Sequence, residues 1–430
     1  MTVTRLKASN FKSFKELDVE LGPFNVLIGA NASGKSNFVQ AFRFLKNIVT
    51  VGLDSAITLQ GSEEYLGNIR IASQSGMSLE ISAYFPGLIG VRLDVGFLNI
   101  NTTTAVYRIN INPAHKTKKR AVSEILTYAC EYSIFEVPGI ENRKILGSGS
   151  IKVSSDNGHT SIEIDKPENL ALTENHISPK FSNIKNDESK SLAFQMFSLG
   201  VQNGKMKSTM LNEPSITSWP LQLRISRFSF YDIESKLIKE SLVTAGRSEL
   251  DENGANLSIV LKKILASDDR IKLLNLINDV LPYVEDLNVV TSSDRAMLLT
   301  LQESYSKGKF LPANLLSDGT INVIALIIAL FFEDNDLVII EEPEKYLHPH
   351  LVSRLVNLMM DASKKKQIIV TTHNPEFVRH AGLENLLLVS RDEDGFSVVK
   401  KPAESEAVKV FLENELGIDE LYVQNLLDMP

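Results

Sequence analysis

Apolar positions repeat with two different periods near the start of this chain. Alternating apolar residues over Thr2–Ala8 and Leu17–Leu21 predict two strands. The short apolar run Phe24–Ile28 is bounded by a Gly-Pro pair and by Gly29, as expected for a buried strand. After Ser36 the apolar residues recur at helical spacing, so we predict that a helix begins directly after a glycine-rich turn.

The pattern changes in the middle of the chain. Residues 51–220 contain short β-like segments separated by polar connectors that are rich in Asn, Ser, Gly and Lys. This sequence pattern predicts a largely antiparallel, β-rich lobe inserted into the chain. A polar stretch around residues 177–189 has too few apolar residues to pack, and we expect it to be flexible.

From about residue 221 strands and helices alternate again, and the strands Leu337–Ile340 and Gln367–Thr371 are apolar throughout. Continuous apolar strands that alternate with helices are typical of a parallel sheet covered on both faces. We therefore predict an α/β domain made of residues 1–50 and 221–430, with the β-rich lobe as its insertion.

Composition narrows the class of protein. The 430 residues carry a net charge of −8, which excludes a uniformly basic nucleic-acid-binding surface. The single cysteine, Cys130, suits a reducing compartment. The first residues lack the apolar segment of a signal peptide. The apolar stretch Ile321–Phe332 is interrupted by Asn322 and is shorter than the ~20 residues that span a membrane. We expect a cytoplasmic protein without a membrane partner.

Residues 29–36, GANASGKS, match the pattern G-x-x-x-x-G-K-[ST] at every fixed position. The glycines let backbone N–H groups face a phosphate, and the following helix adds the positive end of its dipole. Lys35 is suited to bind the β- and γ-phosphate oxygens, and Ser36 to bind Mg²⁺. The candidate nucleotide-contacting residues are Gly29, Asn31, Ala32, Ser33, Gly34, Lys35, Ser36 and Asn37.

Two consecutive carboxylates follow the predicted strand at Leu337–Ile340. Ligands bind at the carboxyl ends of strands in open α/β sheets, so Glu341 is a candidate ligand of Mg²⁺, directly or through water. Glu342 points the other way by strand alternation and is a candidate general base that polarises the attacking water. About 300 residues separate Lys35 from this pair, which excludes compact kinases and small GTPases.

Two further segments complete the set. Ser317 and Asp318 are good helix N-caps, and Gly319 leaves backbone N–H groups open for an anion. His373 follows the apolar strand Gln367–Thr371. In this order, after the other three motifs, we interpret the histidine as the residue that contacts the γ-phosphate.

The ordered segments GANASGKS, LLSDGT, LVIIEEPEKYLHPH and IIVTTHNP resemble those of ABC-type ATPases of the RecF, SMC and OLD-nuclease group. EEPE, LHP and TTHNP are most similar to the OLD-like branch, and LKASNFKSF, FYDIES and LDENGANL extend the resemblance to roughly residues 1–50 and 221–400. The resemblance implies an α/β fold, with a P-loop ATPase head of mixed and parallel sheet and flanking helices, that binds and hydrolyses ATP with Mg²⁺.

The resemblance also implies a role for each matching residue. Lys12 matches a basic position that contacts nucleotide phosphates in relatives. The remaining assignments are the Walker A loop (Gly29–Ser36), the Walker B strand (Leu337–Glu341), the catalytic glutamate (Glu342), the signature (Leu316–Thr320), the D-loop region (Lys345–His350) and the switch histidine (His373).

The sequence departs from the family pattern at three places. Walker B strands usually end in Asp, whereas this one ends in Glu341, whose longer side chain permits direct metal contact. The signature SDGT differs from the LSGGQ of transporter ATPases, which argues against a transport subunit. Gln74 and Gln222 are both possible Q-loop glutamines, and the sequence does not decide between them.

ATPases of this group work in pairs, with the signature of one subunit, here Ser317, completing the nucleotide site of another. We therefore expect a homodimer or a higher assembly. Few residues follow His373, too few for the Toprim nuclease domain of OLD proteins. The resemblance then points to the ATPase component of two-gene bacterial anti-phage modules, whose partner is a separate effector, often a nuclease.

Two alternatives stay open. The first is a RecF-like DNA-binding ATPase of repair or recombination, for which the basic run Lys116–Arg120 is the only compact cationic patch in the sequence. The second is a slow-turnover sensor scaffold, in which the β-rich lobe forms the docking surface and holds an effector until it is triggered.

Overall fold

The computed structural model describes most of the chain. The described residues are 1–71, 75–93, 96–113, 120–135, 143–157, 159–168, 170, 209–212, 219–240, 242–243, 249–291, 296–413, 417–424 and 426–428. The polar stretch around 177–189, residues 116–119 of the basic run and Gln74 lie outside this set.

Seventeen strands occur in the described residues. They are β1 (Thr2–Phe11), β2 (Phe14–Glu20), β3 (Phe24–Ile28), β4 (Met77–Leu93), β5 (Gly96–Asn112), β6 (Ala121–Phe135), β7 (Arg143–Asp156), β8 (His159–Asp165), β9 (Phe228–Tyr231), β10 (Leu242–Val243), β11 (Val284–Thr291), β12 (Ala296–Glu303), β13 (Phe310–Pro312), β14 (Leu337–Glu341), β15 (Gln367–Thr371), β16 (Leu386–Arg391) and β17 (Ser397–Lys400).

Twelve α-helices occur in the same part of the chain. They are α1 (Lys35–Val51), α2 (Leu53–Leu59), α3 (Glu63–Leu66), α4 (Trp219–Ser226), α5 (Ser235–Ile238), α6 (Leu257–Leu265), α7 (Arg270–Val280), α8 (Asp318–Phe331), α9 (Pro349–Ser363), α10 (Pro375–Ala381), α11 (Glu406–Glu413) and α12 (Ile418–Val423). Helix α1 starts at the glycine-rich turn, as its apolar spacing predicts.

The chain divides into two compact units. The first unit is Met1–Leu21, Asn37–Ser226 and Asp392–Val398, and the second is Gly22–Ser36, Arg227–Arg391 and Val399–Pro430. The first unit contains a seven-stranded antiparallel sheet in the order β2-β1-β4-β5-β6-β7-β8. Its core includes the aromatic pair Phe11 and Phe44, whose ring centroids lie 6.3 Å apart.

The N-terminal strands belong to the β-rich lobe, which corrects the division drawn from the sequence. The sequence pattern placed residues 1–50 with the α/β domain and the lobe at residues 51–220. In the structure β1 pairs with β2 on one edge and with β4 on the other. Both edges of β1 thereby gain hydrogen-bond partners, and the sheet of the lobe includes β1 and β2.

The second unit is built on parallel strands. β14 lies between β9 and β15, and β3 lies between β15 and β16, with every one of these pairings parallel. β3, β14 and β15 are almost wholly buried, which explains their continuous apolar sequences. This confirms the parallel sheet predicted from strand–helix alternation.

Helix α8 lies at the centre of the core of the second unit. Its residues from Gly319 to Leu330 are all buried, together with side chains of α6, α7, α9 and the parallel strands. A second, antiparallel sheet in the order β10-β12-β11, with β13 paired to β12, belongs to the same unit. No helix in the described residues is long and apolar enough to cross a membrane.

A buried carboxyl group anchors a separate segment to the sheet of the first unit. Glu124 on β6 is only 2% exposed. It accepts hydrogen bonds from the hydroxyl of Tyr107 at 2.5 Å and from the backbone N–H of Met210 at 2.9 Å. Burial raises the pKa of Glu124 from 4.5 to about 7, although both hydrogen bonds favour the ionised form.

We predict that this carboxyl group makes stability fall as the pH rises towards 7. The unfolded chain releases the Glu124 proton near pH 4.5 and the folded chain near pH 7, so the unfolded state binds fewer protons between these values. Glu124→Gln keeps an acceptor and removes the titration. It should therefore stabilise the protein at pH 8 by roughly 2 kcal/mol relative to its effect at pH 5.

Thermal unfolding followed by circular dichroism at pH 5 and pH 8 measures this difference. The matched control is Glu163→Gln, because Glu163 lies exposed on β8 and pairs with Lys152. The interpretation fails if Glu124→Gln changes the melting temperature equally at both pH values.

Candidate functional site

Three distant segments meet at the carboxyl edge of the parallel sheet. Glu341 is in register with Thr371, and Thr371 is in register with Leu27, so β14, β15 and β3 end side by side. β3 continues into the P-loop (residues 29–36), β14 into the acidic turn (residues 342–347) and β15 into the histidine loop (residues 372–374). The sequence motifs are therefore brought together by strand register alone.

The P-loop requires glycine at its first position. Gly29 has φ +145°, and a Cβ atom there would lie 2.2 Å from the carbonyl oxygen of Val389. Ala32, at the exposed tip of the loop, has φ 60°. The Arg391 side chain donates to the Ala32 carbonyl from Nε at 3.1 Å and from Nη2 at 2.8 Å. The loop is thus held in a left-handed conformation by a cation on the neighbouring strand β16.

The ammonium group of Lys35 lies against the backbone of this loop. It donates to the carbonyl oxygens of Gly29 at 2.6 Å and Ala30 at 3.0 Å. Burial lowers the pKa of Lys35, and the negative charge of Glu342 opposes that shift. Lys35 and Glu342, which are far apart in the sequence, therefore lie within electrostatic reach of each other.

The remaining P-loop residues differ in exposure. Asn31 and Ser36 are exposed, whereas Ser33 and Gly34 are buried. Asn37 follows in α1, and its side-chain amide donates to the hydroxyl of Ser13 at 2.7 Å. The Asn37 side chain is therefore occupied within the first unit.

Glu342 begins a strained turn. Its φ is 46°, in the left-handed region that non-glycine residues rarely adopt, and its backbone N–H donates to the Thr371 carbonyl at 2.8 Å. The carboxylate lies between two polar groups: Oε1 is 2.9 Å from Nδ1 of His373 and Oε2 is 3.5 Å from Nζ of Lys345. The structure thus brings the predicted general base and the predicted switch histidine into direct contact.

Lys345 links this carboxylate to Asp232, whose Oδ1 lies 2.8 Å from Nζ. Burial acts to lower the pKa of Lys345, but the hydrogen bond and charge of Asp232 and the charge of Glu342 outweigh it, so the pKa is raised. Sequence reasoning missed this ion-paired network and Arg391. The only available signal was the FYDIES segment, which contains Asp232.

A buried hydrogen bond connects the acidic turn with the histidine loop. Glu344 is 7% exposed and accepts a hydrogen bond from the Thr372 hydroxyl. The same hydroxyl accepts from the backbone N–H of Asn374 at 2.9 Å. Burial raises the pKa of Glu344, and the bond from Thr372 acts in the opposite direction. The two neighbours of His373 in the sequence, Thr372 and Asn374, are therefore held in place by hydrogen bonds.

The signature residues lie at the start of α8. Ser317 caps the helix by accepting from the Thr320 N–H at 3.1 Å, and Lys239 Nζ lies 2.6 Å from Asp318 Oδ1. A Cβ atom at Gly319 would lie 2.7 Å from the Tyr346 carbonyl oxygen. In the described part of the chain the polar partners of Ser317 and Asp318 do not include the P-loop.

Two other candidates have partners of their own in the first unit. Lys12 donates from Nζ to the Gln60 carbonyl at 3.0 Å, and burial lowers the pKa of Lys12. Gln222 is buried, and its amide donates to the Met210 carbonyl at 2.7 Å. Neither side chain is free to move without breaking these bonds.

The residues present fit a triphosphate accompanied by Mg²⁺. Ser36 offers an exposed hydroxyl and Glu341 a half-buried carboxylate. Both are hard oxygen donors of the kind that Mg²⁺ prefers. Gly29 and Gly34 have φ angles of 145° and 124°, which residues with a side chain rarely adopt, and such a backbone can turn its N–H groups towards an anion.

Comparison with known proteins agrees with this geometry. Residues 24–379 match the family described as "AAA domain, putative AbiEii toxin, Type IV TA system". The chain is 31% identical over 90 residues to Septu protein PtuA of Bacillus thuringiensis, covering 20% of this chain and 23% of that protein. It is 36% identical over 86 residues to the DNA replication and repair protein RecF of Desulforudis audaxviator, covering 17% and 24%.

The chain thus spans about a quarter of the length of these two relatives. Among solved structures it is similar to an SMC head bound to the C-winged helix domain of ScpA, with a TM-score of 0.48, 15% identity and coverage of 93% of this chain and 97% of that one. Because the family match spans most of the 430 residues, the chain belongs to this AAA-domain family of ATPases.

Proposed function

We propose that two copies of this ATPase clamp ATP and Mg²⁺ between them, and that the ATP-bound assembly controls a separate effector, a nuclease, in bacterial anti-phage defence. The main observation that supports this proposal is the position of the Glu342 carboxylate. It is held between His373 and Lys345 and lies within electrostatic reach of Lys35. A carboxylate so placed can take a proton from water next to a bound γ-phosphate.

Each residue of the site has a separate task in this proposal. Glu342 orients and deprotonates the attacking water, and Lys345 keeps that carboxylate in place. Lys35 exchanges its two backbone carbonyl partners for the β- and γ-phosphate oxygens. His373 contacts the γ-phosphate from the neighbouring loop. Mg²⁺ held by Ser36 and Glu341 would neutralise charge that develops on the phosphates.

The pairing of two copies follows from what one copy leaves open. The P-loop surrounds one side of the triphosphate, and the signature residues of the same chain make their polar contacts elsewhere. The start of α8 carries backbone N–H groups suited to an anion. A second copy can therefore supply Ser317, Asp318 and Gly319 to the exposed side of the nucleotide.

Two observations support the defence role. The family description includes the AbiEii toxin and a Type IV TA system, and one relative is the Septu protein PtuA. The OLD-like motif order also resembles the ATPase components of two-gene modules, in which the effector is a second protein.

Two substitutions should separate nucleotide binding from turnover. Lys35→Ala removes the phosphate cation and should weaken ATP binding about ten- to a hundredfold, because charge-assisted hydrogen bonds are lost. Glu342→Gln should bind ATP normally but lose turnover by about a hundredfold or more, because an amide cannot accept the proton.

Binding of a fluorescent ATP analogue and release of phosphate measure the two properties. Lys364→Ala and Glu406→Gln are matched controls, since both side chains form surface ion pairs. Near-normal turnover in Glu342→Gln would show that another group is the base.

The paired assembly and its effector can be tested in the same background. Glu342→Gln should shift to a heavier species with ATP and not with ADP in mass photometry. The protein encoded by the adjacent gene should be retained on the tagged chain, and Lys35→Ala should alter that retention. If Glu342→Gln binds ATP without any change in mass or in retained partner, the clamp proposal is wrong.

RecF-like action on DNA is the second candidate, favoured by the similarity to RecF. If DNA is the partner, binding to Lys and Arg side chains releases counterions, so the logarithm of affinity should fall linearly with the logarithm of salt concentration. Filter binding of duplex DNA from 50 to 200 mM salt should then lose roughly tenfold or more in affinity. Binding that is absent, or that does not change with salt, removes DNA as the partner.

A further inference from the structure

The polar residue that interrupts the apolar segment of α8 is tied to the acidic turn. Asn322 is 2% exposed. Its side-chain amide donates to the carbonyl oxygens of Pro343 and Lys345, both at 2.9 Å. An asparagine amide has only two N–H donors, and both are spent on this one turn.

The turn needs such support because its backbone is strained. Glu342 has φ 46° and Tyr346 has φ 66°, and residues with a side chain are strained in this left-handed region. Such conformations persist only where the surroundings fix them. Within the turn, the Lys345 N–H donates to the Glu342 carbonyl and the Leu347 N–H to the Glu344 carbonyl. Asn322 adds bonds to two further carbonyls of the turn, those of Pro343 and Lys345.

The contact is made from the helix that carries the signature. Gly319, three residues before Asn322, lies so close to the Tyr346 carbonyl that a Cβ atom would be only 2.7 Å away. The start of α8 therefore touches the turn at two points, a close backbone approach and a pair of hydrogen bonds. A displacement of α8 must move the Pro343 and Lys345 carbonyls or break both bonds.

We propose that Asn322 is a positioning residue for ATP hydrolysis: it holds the turn that aims Glu342 and couples this turn to the signature helix. The inference rests on the proposed role of Glu342 as general base. In a pair of copies, α8 contacts the nucleotide of the other copy, while the turn that it holds serves its own copy. Asn322 thereby makes hydrolysis in one site depend on how the other site is filled.

The test replaces Asn322 by leucine, which has a similar size and no donors. Asn322→Leu should lower kcat about ten- to a hundredfold, since a small misplacement of a catalytic group has an effect of that size. The KM for ATP and the directly measured affinity for ATP should stay within about twofold, because Asn322 contacts the turn and not the P-loop. Ile328→Val on the same helix, where Ile328 is equally buried, is the control for packing.

A second variant covers the case in which leucine prevents folding. Asn322→Ser retains one hydroxyl donor and should lose less activity than Asn322→Leu, again in kcat and not in KM. An unchanged kcat in a folded Asn322→Leu or Asn322→Ser overturns the proposal. So does a loss that appears mainly in KM.

The last measurement separates this inference from the clamp itself. Asn322→Leu combined with Glu342→Gln should assemble with ATP as Glu342→Gln alone does, because the turn and not the signature is impaired. If the double variant fails to assemble while Glu342→Gln succeeds, Asn322 serves the signature helix and the proposal is wrong. If Glu342→Gln alone fails to assemble, the clamp is wrong, and the kcat and KM of the single variants still decide the role of Asn322.

Discussion

The parallel register of β3, β15 and β14 is the constraint on which the site depends. Each of these strands ends where its neighbour ends, so the P-loop, the histidine loop and the acidic turn begin at one edge. The contact between Glu342 and His373 and the electrostatic effect of Glu342 on Lys35 follow from that alignment. A slip of one residue in any strand would turn these side chains to the opposite face.

Local patterns were sufficient to predict the strands, the P-loop and the acidic turn, because each is a continuous segment with its own periodicity. They could not predict that β1 pairs with β4, since alternation reveals a half-buried strand and not its neighbour. The support given by Arg391, Asp232 and Asn322 was also hidden. These residues act through backbone carbonyls or ion pairs across long separations, and no spacing rule encodes such contacts.

The site combines rigid and strained parts in a way that suits a switch. The sheet strands are buried, whereas Glu342 and Tyr346 are held in left-handed conformations by their surroundings. Bonds from Asn322 on one side and the Glu344–Thr372 contact on the other restrain the same turn. Strain stored in such a turn can be released by small movements of either support, which makes the position of Glu342 responsive to neighbouring groups.

The contacts that shape the P-loop join residues far apart in the sequence, and this affects when the loop can fold during synthesis. Gly29 faces Val389, and Arg391 holds a carbonyl of Ala32 that is 359 positions earlier in the sequence. A growing polypeptide on the ribosome therefore exposes its GANASGKS segment long before β16 exists to shape it. The contacts that shape the P-loop can therefore form only after β16 has emerged, late in the synthesis of the chain.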